Sequence, residues 1–255
     1  METLSDRKNN QCKNCNTYFE GNYCKNCGQS ADQKRITMSF LVEKLLNGLF
    51  HINRGLFYTI IELFVHPGTM LRGYIAGKRI NYINPFTYLV VISLVGGFIY
   101  TWSGILAHLD QIFPATDELM NFTSKYFSAR MLLIIPLYAL LCSVLFKSFK
   151  YNLAEHLIIN TFLISQSIVF LFVGMLFYWF VKPDNTGFKI LYCIAFVSLI
   201  IYQVVVLFLV FNKGNHVLRW LKSTSVVIIG LGLSFILINY LAKLINMLLG
   251  LLETH

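Results

Sequence analysis

Five long apolar stretches run through this sequence and limit the folds that it can adopt. They are Phe86–Ala107, Met131–Phe146, Leu157–Val181, Ile190–Phe211 and Ser223–Leu249. Each is close to the ~20 residues that a helix needs to cross a bilayer, where backbone groups must bond internally. The second stretch is short and contains Pro136, so its helix is expected to kink or to extend into its flanks. The sequence therefore predicts an all-α integral membrane protein with about five transmembrane helices over residues 85–255.

Composition and motifs limit the functions that are open to such a chain. Hydrophobic residues make up 56% of the 255 residues and charged residues only 13%. This balance excludes a disordered chain and argues against a soluble enzyme. The sequence has no HExxH, nucleophile-elbow, Walker or dinucleotide-binding motif. These observations favour a protein that is not an enzyme.

Four of the six cysteines form two CxxC pairs in the polar first 37 residues. Cys12 and Cys15 are the first pair, and Cys24 and Cys27 are the second. A two-residue gap lets both thiolates of a pair reach one ion, and four thiolates close a tetrahedral structural site. A redox pair or two disulfides are the alternatives, but no βαβ pattern surrounds these cysteines. We predict a cytoplasmic zinc ribbon and linker over residues 1–37, holding one structural Zn²⁺.

Residues 38–66 have the pattern of an amphipathic helix with one narrow polar stripe. The stripe consists of Ser39, Glu43, Asn47, His51, Arg54, Tyr58, Glu62 and His66. The segment is long enough to span a bilayer, but Arg54 lies near its middle, where an arginine costs about 2.5–3.5 kcal/mol. We therefore expect the helix to lie in the membrane interface, with a sixth span as the alternative.

A basic, glycine-containing loop is predicted to complete the second part of the chain, residues 38–84. Arg72, Lys78 and Arg79 lie there among three glycines, between Pro67 and Pro85. Glycine allows close approach of the backbone to a phosphate, so the three cations are candidates for binding anionic lipid headgroups. The alternative is a cytoplasmic anchor that only sets orientation.

The distribution of basic residues predicts the orientation in the membrane. With five spans, sixteen of the 21 Lys and Arg residues fall on the side of the N-terminus. Basic loops are retained in the cytoplasm, so the N-terminus is expected inside and the C-terminus outside. A sixth span at 38–66 would move Arg72, Lys78 and Arg79 to the outside, against the same rule.

The third apolar stretch and the residues just before it carry the intramembrane polar candidates Glu155, His156, Asn160 and Gln166. Lipid makes polar groups costly unless they have partners. A Glu–His pair at the interface can relay protons, bind a cation or orient a headgroup phosphate. The structural alternative is a helix N-terminal cap, with Gln166 bonding across helices.

The stretches YCKNCGQ and LFVHPGTMLRGYIAGKRINYINPF resemble an uncharacterised bacterial family catalogued as domain of unknown function three-six-six-seven. The resemblance covers about residues 12–90 and, later, Glu155 and His156. It implies a metal ribbon joined to several membrane helices in the bacterial inner membrane. It implies no activity.

The sequence thus leads us to expect a membrane-bound binding module. The ribbon would dock a cytoplasmic protein partner, and Arg72, Lys78 and Arg79 would bind membrane lipids. Nucleic acid is disfavoured because Lys13 and Lys25 on the ribbon are sufficiently explained by solubility. The alternatives are a small-solute or ion carrier that uses the polar third stretch and, with less support, a lipid-headgroup enzyme.

Overall fold

The described residues form a small N-terminal hairpin and, after it, mostly helices. The computed structural model describes residues 10–33, 35–42, 55–102, 127–181 and 185–253. They form two compact units, Met1–Thr87 and Tyr88–His255.

The first unit begins with two very short strands, β1 (Asn10–Gln11) and β2 (Tyr18–Phe19). They pair antiparallel, with Asn10 opposite Phe19. Phe19 is buried beside Cys12 and Cys24 and is the largest apolar side chain in this small core. A core of this size does not hold a fold by itself, so the hairpin depends on the cysteine cluster.

Helix α1 (Gly55–Val65) and helix α2 (Pro67–Ala76) follow in the first unit, separated by a bend at His66. The described part of the predicted 38–66 helix consists of residues 38–42 and α1, and residues 43–54 lie outside the described residues. Within α1, Thr59 and Leu63 are buried. The Thr59 hydroxyl accepts a hydrogen bond from the backbone N–H of Ile83 (3.1 Å), which fixes α1 against the turn after α2.

The expectation that residues 67–76 belong to a loop is wrong, because they form α2. Pro67 is favourable at the first helical position, since the missing N–H would have no helical partner there. Burial of Met70, Leu71 and Tyr74 offsets the low helix propensity of the glycines. Gly77 ends the helix in the left-handed conformation (φ 110°), so the basic turn, residues 77–84, is shorter than predicted.

The second unit contains five helices among its described residues. They are α3 (Pro85–Trp102, which starts three residues before the unit), α4 (Phe127–Leu145), α5 (Leu153–Val181), α6 (Asn185–Val210) and α7 (His216–Glu253). Helix α4 packs on α5 and α7, and α6 packs on the same two helices. Helix α4 extends four residues before its predicted start, as its proline suggested.

Three helices are long and apolar enough to cross a membrane: Leu153–Gly174, Lys189–Val210 and His216–Ile245. The share of buried residues is 61% in the first and 33% and 28% in the others, so α5 is the central helix. The apolar segments Pro85–Ile99 and Arg130–Leu145 are shorter among the described residues. The fold is mostly helical and its three long helices fit a membrane protein by length and composition, and the count of five spans stays a prediction.

All three long helices begin earlier than the apolar stretches that predict them, and polar caps explain two of these starts. Helix α5 starts at Leu153 because Asn152 and Glu155 cap it. Helix α7 starts at His216 because the Asn215 side chain accepts the backbone N–H groups of Val217 (2.8 Å) and Leu218 (3.4 Å). Polar capping residues extend a helix beyond its apolar pattern, so hydropathy alone places these starts too late.

Candidate metal centre and polar helix

The four predicted metal ligands come together in the first unit. The Sγ atoms of Cys12 and Cys27 are 3.5 Å apart, and those of Cys15 and Cys24 are 3.6 Å apart. All four Sγ atoms lie within 4.8 Å of one another. Metal–sulfur bonds of about 2.3 Å in a tetrahedron place the sulfurs about 3.8 Å apart. The four cysteines therefore fit one metal ion with four thiolate ligands.

The backbone builds the two knuckles by the same hydrogen-bond pattern. In the first, the Asn16 N–H donates to the Cys12 carbonyl (2.9 Å), and in the second the Gly28 N–H donates to the Cys24 carbonyl (2.8 Å). Asn16 and Gly28 both adopt left-handed backbone conformations, with φ of 60° and 77°. Asparagine and glycine tolerate this conformation best, so both knuckles turn without steric cost.

The environment of the thiols differs across the cluster. Hydrogen bonding to the Thr17 hydroxyl lowers the pKa of Cys15 from its ordinary 9.0 to about 5. Desolvation raises the pKa of Cys27 to about 11. A bound divalent cation would stabilise all four thiolates and override this difference. The donor set is thus suited to a metal that accepts sulfur ligands.

Arg79 ties the ribbon to the end of α2 and the basic turn. Its backbone N–H donates to Gln29 Oε1 (3.2 Å), and its Nη1 donates to Gln33 Oε1 (3.4 Å). Its Nε donates to the carbonyl of Tyr74 (3.2 Å), and its guanidinium lies over the rings of Phe40 (5.1 Å) and Tyr74 (5.7 Å). Through its backbone and its side chain, Arg79 therefore links the ribbon to the end of α2.

A second contact brings the ribbon and the turn together at Gly77. Lys13 Nζ donates to the carbonyl of Gln33 (2.6 Å), and its stem crosses Gly77. A Cβ on Gly77 would lie 2.9 Å from the Lys13 Cδ atom. Burial also raises the pKa of Tyr74 beneath Arg79 to about 12. The ribbon therefore packs directly on the basic turn.

The three predicted lipid-binding cations have different surroundings. Lys78 is exposed, whereas Arg72 and Arg79 are half-buried. Arg79 makes the contacts described above, so much of its hydrogen-bonding capacity is used within the protein. Lys78 is consequently the cation of this group best placed to meet a ligand outside the chain.

Three of the four polar candidates of α5 have structural partners. The Glu155 carboxylate accepts the Asn152 N–H (2.8 Å), while the Asn152 side chain accepts the Glu155 N–H (2.8 Å), which is a reciprocal capping box. Asn160 Nδ2 donates to the His156 carbonyl (2.8 Å). Gln166 Oε1 accepts the Tyr88 hydroxyl from α3. These hydrogen bonds satisfy polar groups that a packed helix bundle buries.

His156 is the exception among the polar candidates. It is fully buried, and both ring nitrogens have no hydrogen-bond partner among the described residues. Its ring stacks on Phe211 (5.6 Å between centroids) and meets the edge of Tyr151 (6.1 Å). An imidazole in this position is available for a ligand that the protein itself does not supply.

Sequence reasoning did not identify Gln29 and Gln33 as residues that position the ribbon. Gln29 is buried, and its side chain holds the Arg79 backbone. The only sequence signal was the place of Gln29 directly after the second knuckle, in YCKNCGQ. A contact across 50 positions of the chain leaves no local pattern, so the role could not be read from spacing.

Comparison with known proteins bears on this same region. A family model described as "Protein of unknown function (DUF3667)" matches residues 53–96. The match covers α1, α2, the basic turn and the first part of α3. It confirms the family resemblance predicted from the sequence, and the family's description assigns no activity. No curated protein and no solved structure matches the chain.

Proposed function

We propose that this chain is a five-span protein of the bacterial inner membrane whose zinc ribbon and basic turn form one cytoplasmic binding module. The observation that carries the proposal is the Arg79 tie, which joins the ribbon to the turn through Gln29 and Gln33. A ribbon that served only to increase solubility would not need hydrogen bonds to the turn. The module would dock a protein partner and hold anionic lipid headgroups.

Zinc is the metal that this donor set favours. Four cysteine ligands and no carboxylate in the cluster suit a soft, tetrahedral ion. With four thiolates bound, no position is left for a water molecule, so the ion would be structural. Zinc binding would supply most of the folding free energy of the ribbon.

An exposed apolar face on α1 supports contact with the membrane interface. Phe57, Ile61, Phe64 and Val65 recur at helical spacing and are exposed. The 11 residues of α1 extend about 16 Å at ~1.5 Å per residue, less than the ~30 Å of a hydrocarbon core. A short helix of this kind is suited to lie in the interface, with Lys78 near anionic headgroups.

The surface of the ribbon supports a role in docking a protein partner. Tyr18 and Tyr23 are 69% and 67% exposed, and exposed tyrosines are enriched at interfaces. A groove of about 500 Å³ lies beside β2. It is lined by Thr17, Tyr18, Phe19, Glu20, Lys25 and Asn26. Its aromatic wall and mixed charges suit a polypeptide segment better than a phosphate backbone.

The positive-inside rule supports the orientation in the membrane that we propose for the chain. The loops after α4 and α6 carry Lys147, Lys150 and Lys213, which lie on the side of the N-terminus if each helix crosses once. The N-terminus is then cytoplasmic and the C-terminus outside. Cysteine accessibility labelling from each side of intact and permeabilised cells tests this orientation.

Native mass spectrometry of the purified full chain tests the metal part of the proposal. We expect one zinc ion per chain, with loss of zinc in Cys15→Ser and Cys24→Ser. Cys193→Ser is the matched control, because Cys193 is an exposed free cysteine outside the cluster. A protein that carries no zinc, or that loses it equally in the control, would refute the zinc ribbon.

Two further measurements test the binding roles. Retention of phosphatidylglycerol should fall in Lys78→Gln and stay unchanged in Lys25→Gln, which removes the same charge from the ribbon. Crosslinked protein partners should be lost in a Tyr18→Ala, Tyr23→Ala variant that still binds zinc. If every captured partner persists in that variant, the ribbon is not the docking surface.

A small-solute or ion carrier is the second candidate function. The buried His156, with both ring nitrogens unbonded among the described residues, supports it. Glu155, Asn160 and Gln166 already have partners, so His156 would be the group that binds or releases a proton. Solute flux into liposomes that is unchanged in His156→Ala would count against a carrier.

A further inference from the structure

We propose that the second unit binds a phosphate group where α7 begins and α6 ends, through Arg219 with Ser223 and His156. This inference does not rest on the ribbon or on the basic turn. It rests on three buried side chains, each with a polar atom that lacks a hydrogen-bond partner among the described residues. His156 and Arg219 both contact Phe211, and Ser223 lies one helical turn after Arg219.

Arg219 is the central group of this site. Its side chain is 6% exposed, and its guanidinium lies over the ring of Phe208 at 4.2 Å. Nη1 donates to the carbonyl of Phe211 (3.1 Å), and Nη2 is 2.8 Å from His216 Nδ1. Nε is buried and has no hydrogen-bond partner among the described residues. The contacts hold the guanidinium in a fixed position and leave one donor free.

The charge of Arg219 has no carboxylate partner in the part of the chain that the structure describes. The described residues of the second unit include only two acidic residues, Glu155 and Glu253. Glu155 accepts the backbone N–H of Asn152 as a helix cap. A buried cation is unfavourable without an anion, so a ligand that brings a negative charge would stabilise this end of the unit.

Ser223 lies one turn after Arg219 on the same face of α7. It is fully buried, and its Oγ has no partner among the described residues. Buried hydroxyls in a helix usually donate to the carbonyl four residues earlier. Four other hydroxyls of this unit do so, namely those of Thr161, Ser165, Ser167 and Ser234. Ser223 departs from this pattern and is free to bind a ligand oxygen.

His156, on α5, contacts the same residue at the end of α6 as Arg219 does. Its ring stacks on Phe211, whose carbonyl receives Arg219. Both imidazole nitrogens lack partners among the described residues, and one of them is a donor in the neutral ring. A planar guanidinium, a hydroxyl and an imidazole are together suited to the several oxygens of a phosphate.

The surface around this end also favours an anion. Lys147, Lys150 and Lys213 lie in the adjacent loops and are exposed. Trp220 is 43% exposed directly after Arg219, and tryptophans are enriched at the level of lipid headgroups. The phosphate of an anionic phospholipid would reach Arg219 at this level, and a soluble phosphate offers the same chemistry.

The test measures binding of phosphate probes to the purified full chain in a neutral detergent. Native mass spectrometry compares phosphatidylglycerol with diacylglycerol, which has the same tails and no phosphate, and calorimetry measures inorganic phosphate. Ser223→Ala should weaken phosphate binding about 2- to 10-fold, as expected for one lost hydrogen bond. Ser234→Ala is the matched control, because its hydroxyl bonds to the Gly230 carbonyl in the same helix.

The outcomes separate the two sources of phosphate. Phosphatidylglycerol binding that weakens in Ser223→Ala identifies a lipid headgroup, and inorganic phosphate binding that weakens identifies a soluble phosphate. Arg219→Lys keeps the charge but loses the planar donors, so either probe should bind at least about tenfold more weakly. Equal binding of both probes in the wild type, Ser223→Ala and Arg219→Lys would overturn the proposal. Equal binding of diacylglycerol and phosphatidylglycerol, together with no binding of inorganic phosphate, would also overturn it.

Discussion

Replacing Arg79 by alanine should weaken zinc binding although Arg79 is not a ligand. The substitution removes the Nε bond to the Tyr74 carbonyl (3.2 Å), the Nη1 bond to Gln33 (3.4 Å) and two ring contacts. Hydrogen bonds from a charged group contribute about 1.5–3 kcal/mol, and cation–π contacts contribute about 0.5–1 kcal/mol. The two contacts to Tyr74 lie within the end of α2 and the turn that follows it, and only hold the guanidinium in place. We therefore assign about 2 kcal/mol to the loss of the Gln33 bond and the Phe40 contact, each at the low end of its range.

This free energy should appear in the apparent zinc affinity. The ribbon has Phe19 as its main apolar core residue, so it folds and packs on the turn when the metal binds. Loss of about 2 kcal/mol then weakens zinc binding about 30-fold. Competition of the purified full chain with a chromogenic chelator measures this affinity.

The control for this prediction is Lys78→Ala, which removes a neighbouring positive charge from an exposed side chain. We expect it to change zinc affinity by less than about threefold, because exposed charges contribute little. Arg79→Lys should be intermediate, since it keeps the charge and loses the planar stacking. If Arg79→Ala and Lys78→Ala change the affinity equally, the tie does not stabilise the ribbon.

Three further predictions concern packing, capping and pH. A Cβ at Gly230 would lie 2.5 Å from the Tyr138 ring, so Gly230→Ala should cost about 1–3 kcal/mol and lower the melting temperature in detergent. Gly232→Ala, which meets no atom within 4 Å, should not lower it. Glu155→Ala should destabilise α5 by about 1 kcal/mol and Glu155→Gln much less, because glutamine also completes a capping box; equal losses would refute the capping role. Burial raises the pKa of Tyr74 from 10.0 to about 12, so its stabilising effect is complete below pH 10 and is lost as pH rises through 12. Between pH 10 and 12 the free energy of unfolding of Tyr74→Phe, measured by fluorescence, should therefore fall less steeply than that of the wild type. An identical dependence on pH in the two proteins would contradict this.

Local sequence patterns are sufficient to predict the long apolar helices of this protein and its cysteine cluster. Apolar stretches near bilayer length predict membrane helices without knowledge of their neighbours, and three helices meet that requirement in the structure. The two CxxC pairs predict that four thiolates meet, because each pair is a local turn with a fixed reach. Both signals are local in the chain, so no tertiary contact was needed to recognise them.

The contacts of the charged and polar residues depend on how the chain packs and are not visible in local sequence patterns. Arg72, Lys78 and Arg79 are equivalent in sequence, but Arg79 bonds to Gln29 and Gln33 across the unit. Glu155 and His156 are neighbours, yet Glu155 caps a helix and the imidazole of His156 lies among aromatic rings with no hydrogen-bond partner in the described part of the chain. Arg219 belongs to a loop by hydropathy but is buried in α7 against the end of α6. Long side chains take their roles from partners that are distant in sequence, and the position of those partners is set only when the helices pack.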